Sequence, residues 1–437
     1  MTAVSPDAAE GRPFEWWMTS NFAMGASFSA FIALLIPPYV TEVTSDVAAA
    51  GAVMAVISLA AVLGPVLGTL ADRHAAHRLV MSLGVLGMSV GFAAFAFASE
   101  SATFYAIDSI LLGVSLAAVS AVGPVFVVGA GLSRPLEARR MTWYSLAMPA
   151  GQVVGGAMIG AAAAAGWSFS VRFWMASAFC GVLAIVTWMT SKGAEERLHA
   201  AMYGDDTGAG EAADGAEKTT KVKVPLKAVL WSSFGLFLLV SVLSSAANNG
   251  INSQISNIMP NVYGVSEAET STLISVAGLI NLALFIPAGK LMARRGNIST
   301  YSVGIIMRLV GALGMAVVGL VAENTAVLAI AFMQVLYQAN PFARLAQPGT
   351  AVRFATFPAG MANGWLIAGS AAGGFIGSLL GGVLADRYGF NAVNWMGAGA
   401  AGLSVAVLVV GVWPQRSSDD DQQTDAPAGS GAKAALS

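Results

Sequence analysis

Stretches of about 20 apolar residues, each long enough to cross a bilayer, recur twelve times along this 437-residue chain. Hydrocarbon offers no water to the backbone, so each N–H and C=O must be bonded inside its own segment, and such runs must be α-helices. They are expected at about 16–40, 48–71, 78–99, 102–131, 142–165 and 170–190, then at about 228–258, 268–292, 299–321, 325–345, 359–385 and 391–413. Composition agrees: 56% of residues are hydrophobic and 11% charged, against about 25% charged in a soluble domain. The chain is therefore read as an all-α integral membrane protein with the lipid bilayer as its solvent. Its formal net charge of −2 offers no basic face for nucleic acid. The single cysteine, Cys180, permits no internal disulfide.

The polar residues 1–15 form an N-terminal tail, and the first apolar run is too long for the core of a cleaved signal. It is read as a retained first span. Two six-helix bundles follow, 16–190 and 227–413, joined by a polar linker at 191–226 that lacks apolar periodicity and reads as flexible. The segment 414–437 is a second polar tail, read as disordered.

Lys and Arg positions orient the spans. Arg172 and Arg387 fall on one side and Arg308 inside a helix, while the rest of the 22 basic residues are assigned to the opposite side. That crowded side is expected to be cytoplasmic, with both termini and the linker inside and the protein in the cytoplasmic membrane. The outer loops carry Glu42, Asp46, Glu100, Glu267, Glu269 and Glu323.

The halves repeat at a shift of 221 or 222 residues. Gly68 to Arg73 falls on Gly289 to Arg294, Pro38 on Pro260, and Gly151, Gly155 and Gly160 on Gly373, Gly377 and Gly382. The matches keep helix order and direction, which describes two parallel, pseudo-symmetric six-helix halves.

The loop after the second helix reads Gly68-Thr-Leu-Ala-Asp72-Arg73-His-Ala-Ala-His-Arg78. It resembles the signature of the major facilitator superfamily. The usual glycine after the Asp-Arg pair is Ala75. A second copy, Gly289 to Gly296, keeps Arg294 and Arg295 but has Ala293 where an acid is expected, and Leu384-Ala-Asp386-Arg387 is a third echo. The resemblance implies the twelve-helix fold of that superfamily, alternating access, and a gating role for Gly68, Asp72, Arg73, Arg78, Gly289, Arg294 and Arg295. Asp72 would latch onto the positive N-terminus of helix eleven, near Pro358 to Met361, when the cavity faces outward. Such a contact contributes about 0.3–1 kcal/mol or more when partly buried. With Ala293 in the second half, the latch is one-sided.

Pro149-Ala-Gly151-Gln152-Val-Val-Gly155-Gly156 in helix five resembles the antiporter motif of drug-efflux members, with proline and glycine out of the usual order. A small-residue packing seam is the other reading. Leu34-Leu-Ile-Pro37-Pro38-Tyr39 at the end of helix one is also similar to twelve-helix efflux proteins. Helix four departs from the drug antiporters, with Ser109 where their arginine stands. Asn248-Asn249-Gly250-Ile251-Asn252 faintly resembles a sugar-porter motif, but the region after helix six lacks the sugar-porter signature.

The superfamily lines its cavity chiefly with helices one, four, seven and ten. Helix seven supplies Asn248, Asn249 and Asn252, helix ten supplies Gln334, Tyr337 and Gln338, and helix five supplies Gln152. Amides are costly in hydrocarbon unless bonded or wet, so these residues are substrate-binding candidates for a polar solute. With no Lys or Arg placed centrally in the four lining helices, a neutral or cationic solute fits better than an anion. Asp108, about two turns inside helix four, is the proton-coupling candidate, and could load a proton outside and release it inside. Arg308 in helix nine reads as a snorkelling or structural group, and His74-x-x-His77 as a solvated loop pair, not a metal site.

No embedded nucleophile with its base, no metal-binding cluster and no nucleotide-binding loop is present in the sequence. The chain is read as a monomeric secondary transporter without cofactor, moving a small-molecule solute by alternating access, with proton-coupled efflux as its direction. Uptake or facilitated passage of a polar solute such as a sugar is the alternative. A non-transporting membrane receptor or assembly factor on the same fold is a third reading.

Overall fold

The structure, a computed structural model, describes residues 13–97, 101–130, 132, 134–203, 232–321, 325–355 and 359–412. Among them there are helices and no strands. The spans run Trp16–Thr44, Val47–His74, His77–Phe95, Ala102–Val128, Arg139–Ala164, Phe169–Thr190, Ser233–Asn252, Glu267–Val318, Ala326–Phe354, Ala362–Tyr388 and Asn391–Val412. These are eleven continuous segments, and the 52-residue one turns back at Gly296, whose φ of 76° and ψ of 174° are non-helical. Split there, it supplies helices eight and nine, and the count becomes twelve. Helix seven continues past Ser253 and Gln254 as Ile255–Tyr263.

Without a hydrophobic drive between helices in lipid, close backbone approach and interhelical hydrogen bonds hold the bundle. The repeated glycines supply that approach. A Cβ on Gly151 would lie 1.9 Å from the carbonyl oxygen of Phe22 in helix one, and one on Gly373 would lie 2.2 Å from that of Val242 in helix seven. Helices five and eleven thus dock in the same way on the first helix of their own halves. Each also crosses to the other half. Gly156 backs onto Ser271 and Ser275 of helix eight, and Gly382 onto Gly51 of helix two.

The region 191–226 differs from expectation at its start, since Lys192–Tyr203 is a helix continuing from helix six. Ala194 and Leu198, one turn apart, are buried beside Trp17, Phe126 and Val127. Two buried positions at helical spacing suffice here because charges fix the rest. Glu15 accepts from Arg197 Nη2 at 2.6 Å and pairs with Arg140 at 2.9 Å. The remainder of the linker from 204, the 414–437 tail and residues 1–12 lie outside the described residues.

Gly51→Leu should wedge helix two from helix eleven, where a Cβ already meets Gly382 Cα at 2.5 Å. Overpacking of this kind costs about 1–3 kcal/mol. The thermal midpoint of the detergent-solubilised protein should fall by several degrees. Gly289→Leu, with nothing among the described residues within 4 Å of its Cβ position, should leave the midpoint unchanged.

Candidate functional site

Between the halves lies a narrow cavity lined in large part by polar side chains. Its polar lining comes from Ser29 in helix one, Ser58 in helix two, Gln152 in helix five, Asn248, Asn249, Asn252 and Ser253 in helix seven, Tyr337, Asn340 and Arg344 in helix ten, and Ser378 in helix eleven. Helices one, seven and ten contribute as the resemblance implies. Helix four contributes none of the lining, and helices two, five and eleven stand in for it.

The structure therefore brings together Gln152, Asn248, Asn249, Asn252 and Tyr337 of the expected set. Gln334 and Gln338 go elsewhere. Gln334 Nε2 donates to the Leu273 carbonyl at 2.9 Å, and Gln338 Nε2 to that of Ala277 at 3.4 Å. Both fasten helix ten to helix eight. The reason is helical phase: 334 and 338 share one face, while 337, 341 and 344 share another.

Several lining amides have one end already engaged. Asn249 Nδ2 donates to the Ser245 carbonyl at 2.9 Å, and Gln152 Nε2 to that of Ile274 at 3.1 Å, bridging the two halves. Each is left with its oxygen for another partner.

Arg344 is the lining residue that the sequence pattern conceals. Helix ten is expected to end at about 345, but it continues to Phe354. Arg344 then lies ten residues before that end, about 15 Å along the axis, and lines both the cavity and a second recess opening from it. The ground for a neutral or cationic solute, an absence of central Lys or Arg, is thereby removed. Its i+7 spacing from Tyr337, on one helix face, is the signal that could have found it. Arg308 is tied inward to its neighbours: its Nη1 donates to Ser244 Oγ at 2.5 Å and its Nη2 to Asn340 Oδ1 at 3.1 Å.

Asp108 is buried, 3% exposed, but faces helix three and not the cavity. Its Oδ1 lies 3.3 Å from where a Cβ on Gly91 would stand. Neither carboxylate oxygen has a hydrogen-bond partner among the described residues.

The two ends of the bundle differ. At one end Arg172 of helix six pairs with Glu267 of helix eight, and Asn257 Nδ2 donates to Thr41 Oγ1 at 3.3 Å, joining helix seven to helix one. With the Gly51–Gly382 crossing, these contacts seal that end. At the other end a cleft separates Met141, Thr142 and Ser145 of helix five from Phe285, Ile286 and Gly289 of helix eight. Ser145 and Phe285 also line the recess that holds Arg344, so the cleft leads inward.

The gating-motif residues lie toward this end of the bundle, and of them Gly289 lines the cleft. Asp72 Oδ1 lies 2.8 Å from Nε2 of the buried His77, while His74 is exposed. Arg73, Arg294 and Arg295 are exposed. Arg78 packs its guanidinium 3.9 Å from the centre of the Trp188 ring and donates to the Trp188 carbonyl at 2.8 Å, which ties helix three to helix six. Among the described residues Gly68 has only an ordinary contact, 3.9 Å to Ala121 Cβ, and Gly289 has none. The facing turn at 356–358 lies outside the described residues, and the side chains through Met361 with it.

A twelve-helix bundle in two like halves, with a polar cavity between them open at one end, defines the class of solute carriers. The sequence model of the Major Facilitator Superfamily matches residues 17–343, and the chain belongs to that family. A search of curated protein sequences finds no match. Among solved structures, a point mutant of the nucleoside transporter NupG has a TM-score of 0.69 at 13% identity, covering 90% of this chain and 98% of its own. A second NupG structure scores 0.66 at 14% identity, covering 90% and 96%. At that identity the likeness is one of fold.

Proposed function

We propose that this chain is a secondary transporter that binds a polar, hydrogen-bonding solute in the central cavity and exposes it alternately to the two sides of the cytoplasmic membrane. The observation that supports the reading best is convergence: amides from helices five and seven and the hydroxyl-bearing Tyr337 of helix ten line one cavity, sealed at one end and cleft at the other. On the orientation taken from Lys and Arg placement, the cleft opens to the cytoplasm and the conformation is inward-facing. Proton-coupled efflux is the direction supported by the helix-five resemblance. Uptake of a polar solute is the second reading, favoured by the faint sugar-porter resemblance of the helix-seven amide cluster.

Flux in proteoliposomes with imposed pH gradients tests this, starting from a panel of sugars and nucleosides. Asn252→Ala should raise the apparent KM for the transported member. A loss of about 1–3 kcal/mol follows where a buried partner is left unsatisfied. An unaltered KM would make the amide structural.

The latch proposal concerns the cycle and not the site. Asp72 is engaged by His77 in the present conformation, and helix eleven would compete for it when the cleft closes. Asp72→Asn should therefore lower turnover with little change in binding affinity, because it biases a conformational equilibrium. Wild-type turnover in that variant would remove the latch.

Asp108 is the residue to which we assign proton coupling, because its carboxyl lacks a partner among the described residues inside a span. From between helices three and four it would act through movement of those helices, not by touching solute. Asp108→Asn should abolish transport driven by a pH gradient and retain exchange at equal pH. Full gradient-driven transport in the variant would leave coupling to another group.

A further inference from the structure

The amides of the central cavity are accompanied by a charge for which the cavity holds no counterpart. Arg344 lines both the main cavity and its side recess, and neither has an Asp or Glu among the described residues of its lining. None of the ion pairs among the described residues includes Arg344 or Arg308. The one partner of Arg344 among the described residues is Met148, whose Sδ accepts from Nη1 at 2.6 Å. A thioether is a weak acceptor, carries no charge, and leaves the rest of the guanidinium fork free.

Arg308 polarises the same face from behind. A guanidinium donates and never accepts, so Asn340 must turn its oxygen to Arg308, at 3.1 Å. Its Nδ2 donors are then what Asn340 presents to the cavity. Tyr337, 4% exposed, has a hydroxyl with no partner among the described residues. Tyr337, Asn340 and Arg344 thus form a stripe of donors along helix ten, with two positive charges within or behind it. Across the cavity Gln152 and Asn249 have their nitrogens committed to carbonyls and offer oxygens. Helix ten thus donates and carries the charge, while Gln152 and Asn249 turn oxygens to the cavity.

We propose that the solute is a small polar organic anion whose carboxylate or phosphate oxygens bind Arg344, Asn340 and Tyr337 while its hydroxyl or amino groups face Gln152 and Asn249. The proposal rests on the cavity being the transport site. Its physical basis is that Arg344 is exposed in the open cavity, so its guanidinium is available to an incoming anion, and closure of the cleft around it would leave a charge in need of a partner. Here the solute is the group that can bring one. A guanidinium fork also matches carboxylate and phosphate geometry better than a point charge does.

The test uses matched probes that differ in one anionic group: D-gluconate against D-glucose for carboxylate, and uridine 5′-monophosphate against uridine for phosphate. Binding is measured calorimetrically on the purified full-length protein in lipid nanodiscs. The anionic member of one pair should bind at least about tenfold tighter than its neutral partner, the gain of one good charge-assisted contact. That ratio should collapse toward unity in Arg344→Gln. Arg344→Lys, which keeps the charge but not the fork, should restore part of it and shows that loss in the first variant is not misfolding. Equal binding of charged and neutral members, an anion preference that survives Arg344→Gln, or binding of none of the four would overturn the assignment. Failure of the transport reading has a different signature: the anion preference and its loss in Arg344→Gln would stand, with no flux of the bound probe in proteoliposomes.

Discussion

Close approach of helix backbones at small residues is the constraint from which the rest of this structure follows. Water does not drive helices together within a bilayer, so their association depends on contact area and on interhelical hydrogen bonds. Helix five meets helix one through Gly151, and helix eleven meets helix seven through Gly373. The same two helices then cross to the opposite half, at Gly156 and Gly382. Because the crossings at Gly156 and Gly382 lie toward the Arg172 end, the halves touch there and splay at the other end. The cavity is the space left by that splay. Its polar lining is tolerable because the cleft admits water to groups that hydrocarbon would penalise.

How much of this is legible in the sequence varies with the range of the interaction. Helix number and order follow from segment length against bilayer thickness, a property of each segment alone. The two-fold repeat is visible because glycine spacing records packing in both halves. Helix ends are less legible. Pro348 and Gly349 look like a terminus, yet the helix runs on to Phe354. A proline removes one backbone bond, and neighbouring helices can hold a span through that loss. The linker helix escapes a sequence reading for a related reason. Its apolar stripe is only Ala194 and Leu198, and its ion pair reaches back 182 residues to Glu15. No local pattern carries that information.

Site residues divide along the same line. Asn248, Asn249 and Asn252 line the cavity, as their crowding on one helix implies. Gln334 and Gln338 look equivalent to Tyr337 by composition and are not, since a rotation of about 100° per residue separates their face from that of Tyr337 and Arg344. Which face looks inward depends on the neighbours of helix ten. Asp108 illustrates the converse. Helix four is expected to line the cavity, but its buried acid points at helix three. The presence of an acid within a span is readable from sequence. Its direction is not, because direction is a relation between helices.

The polar contacts also separate into those that must break during a transport cycle and those that need not. Arg308 with Ser244 and Asn340, Gln334 with Leu273, and Arg78 with Trp188 all lie within one half. They can travel as rigid units, and so keep the helix-ten donor stripe in register whichever side is open. Arg172 with Glu267, Asn257 with Thr41, and Gln152 with Ile274 cross between the halves. The first two lie at the sealed end and must open if that end does. Gln152 is the exception, because it lines the cavity while bridging the halves. A solute that engages its oxygen would share a residue with a contact between the halves, which would couple occupancy of the cavity to their relative set without any longer pathway.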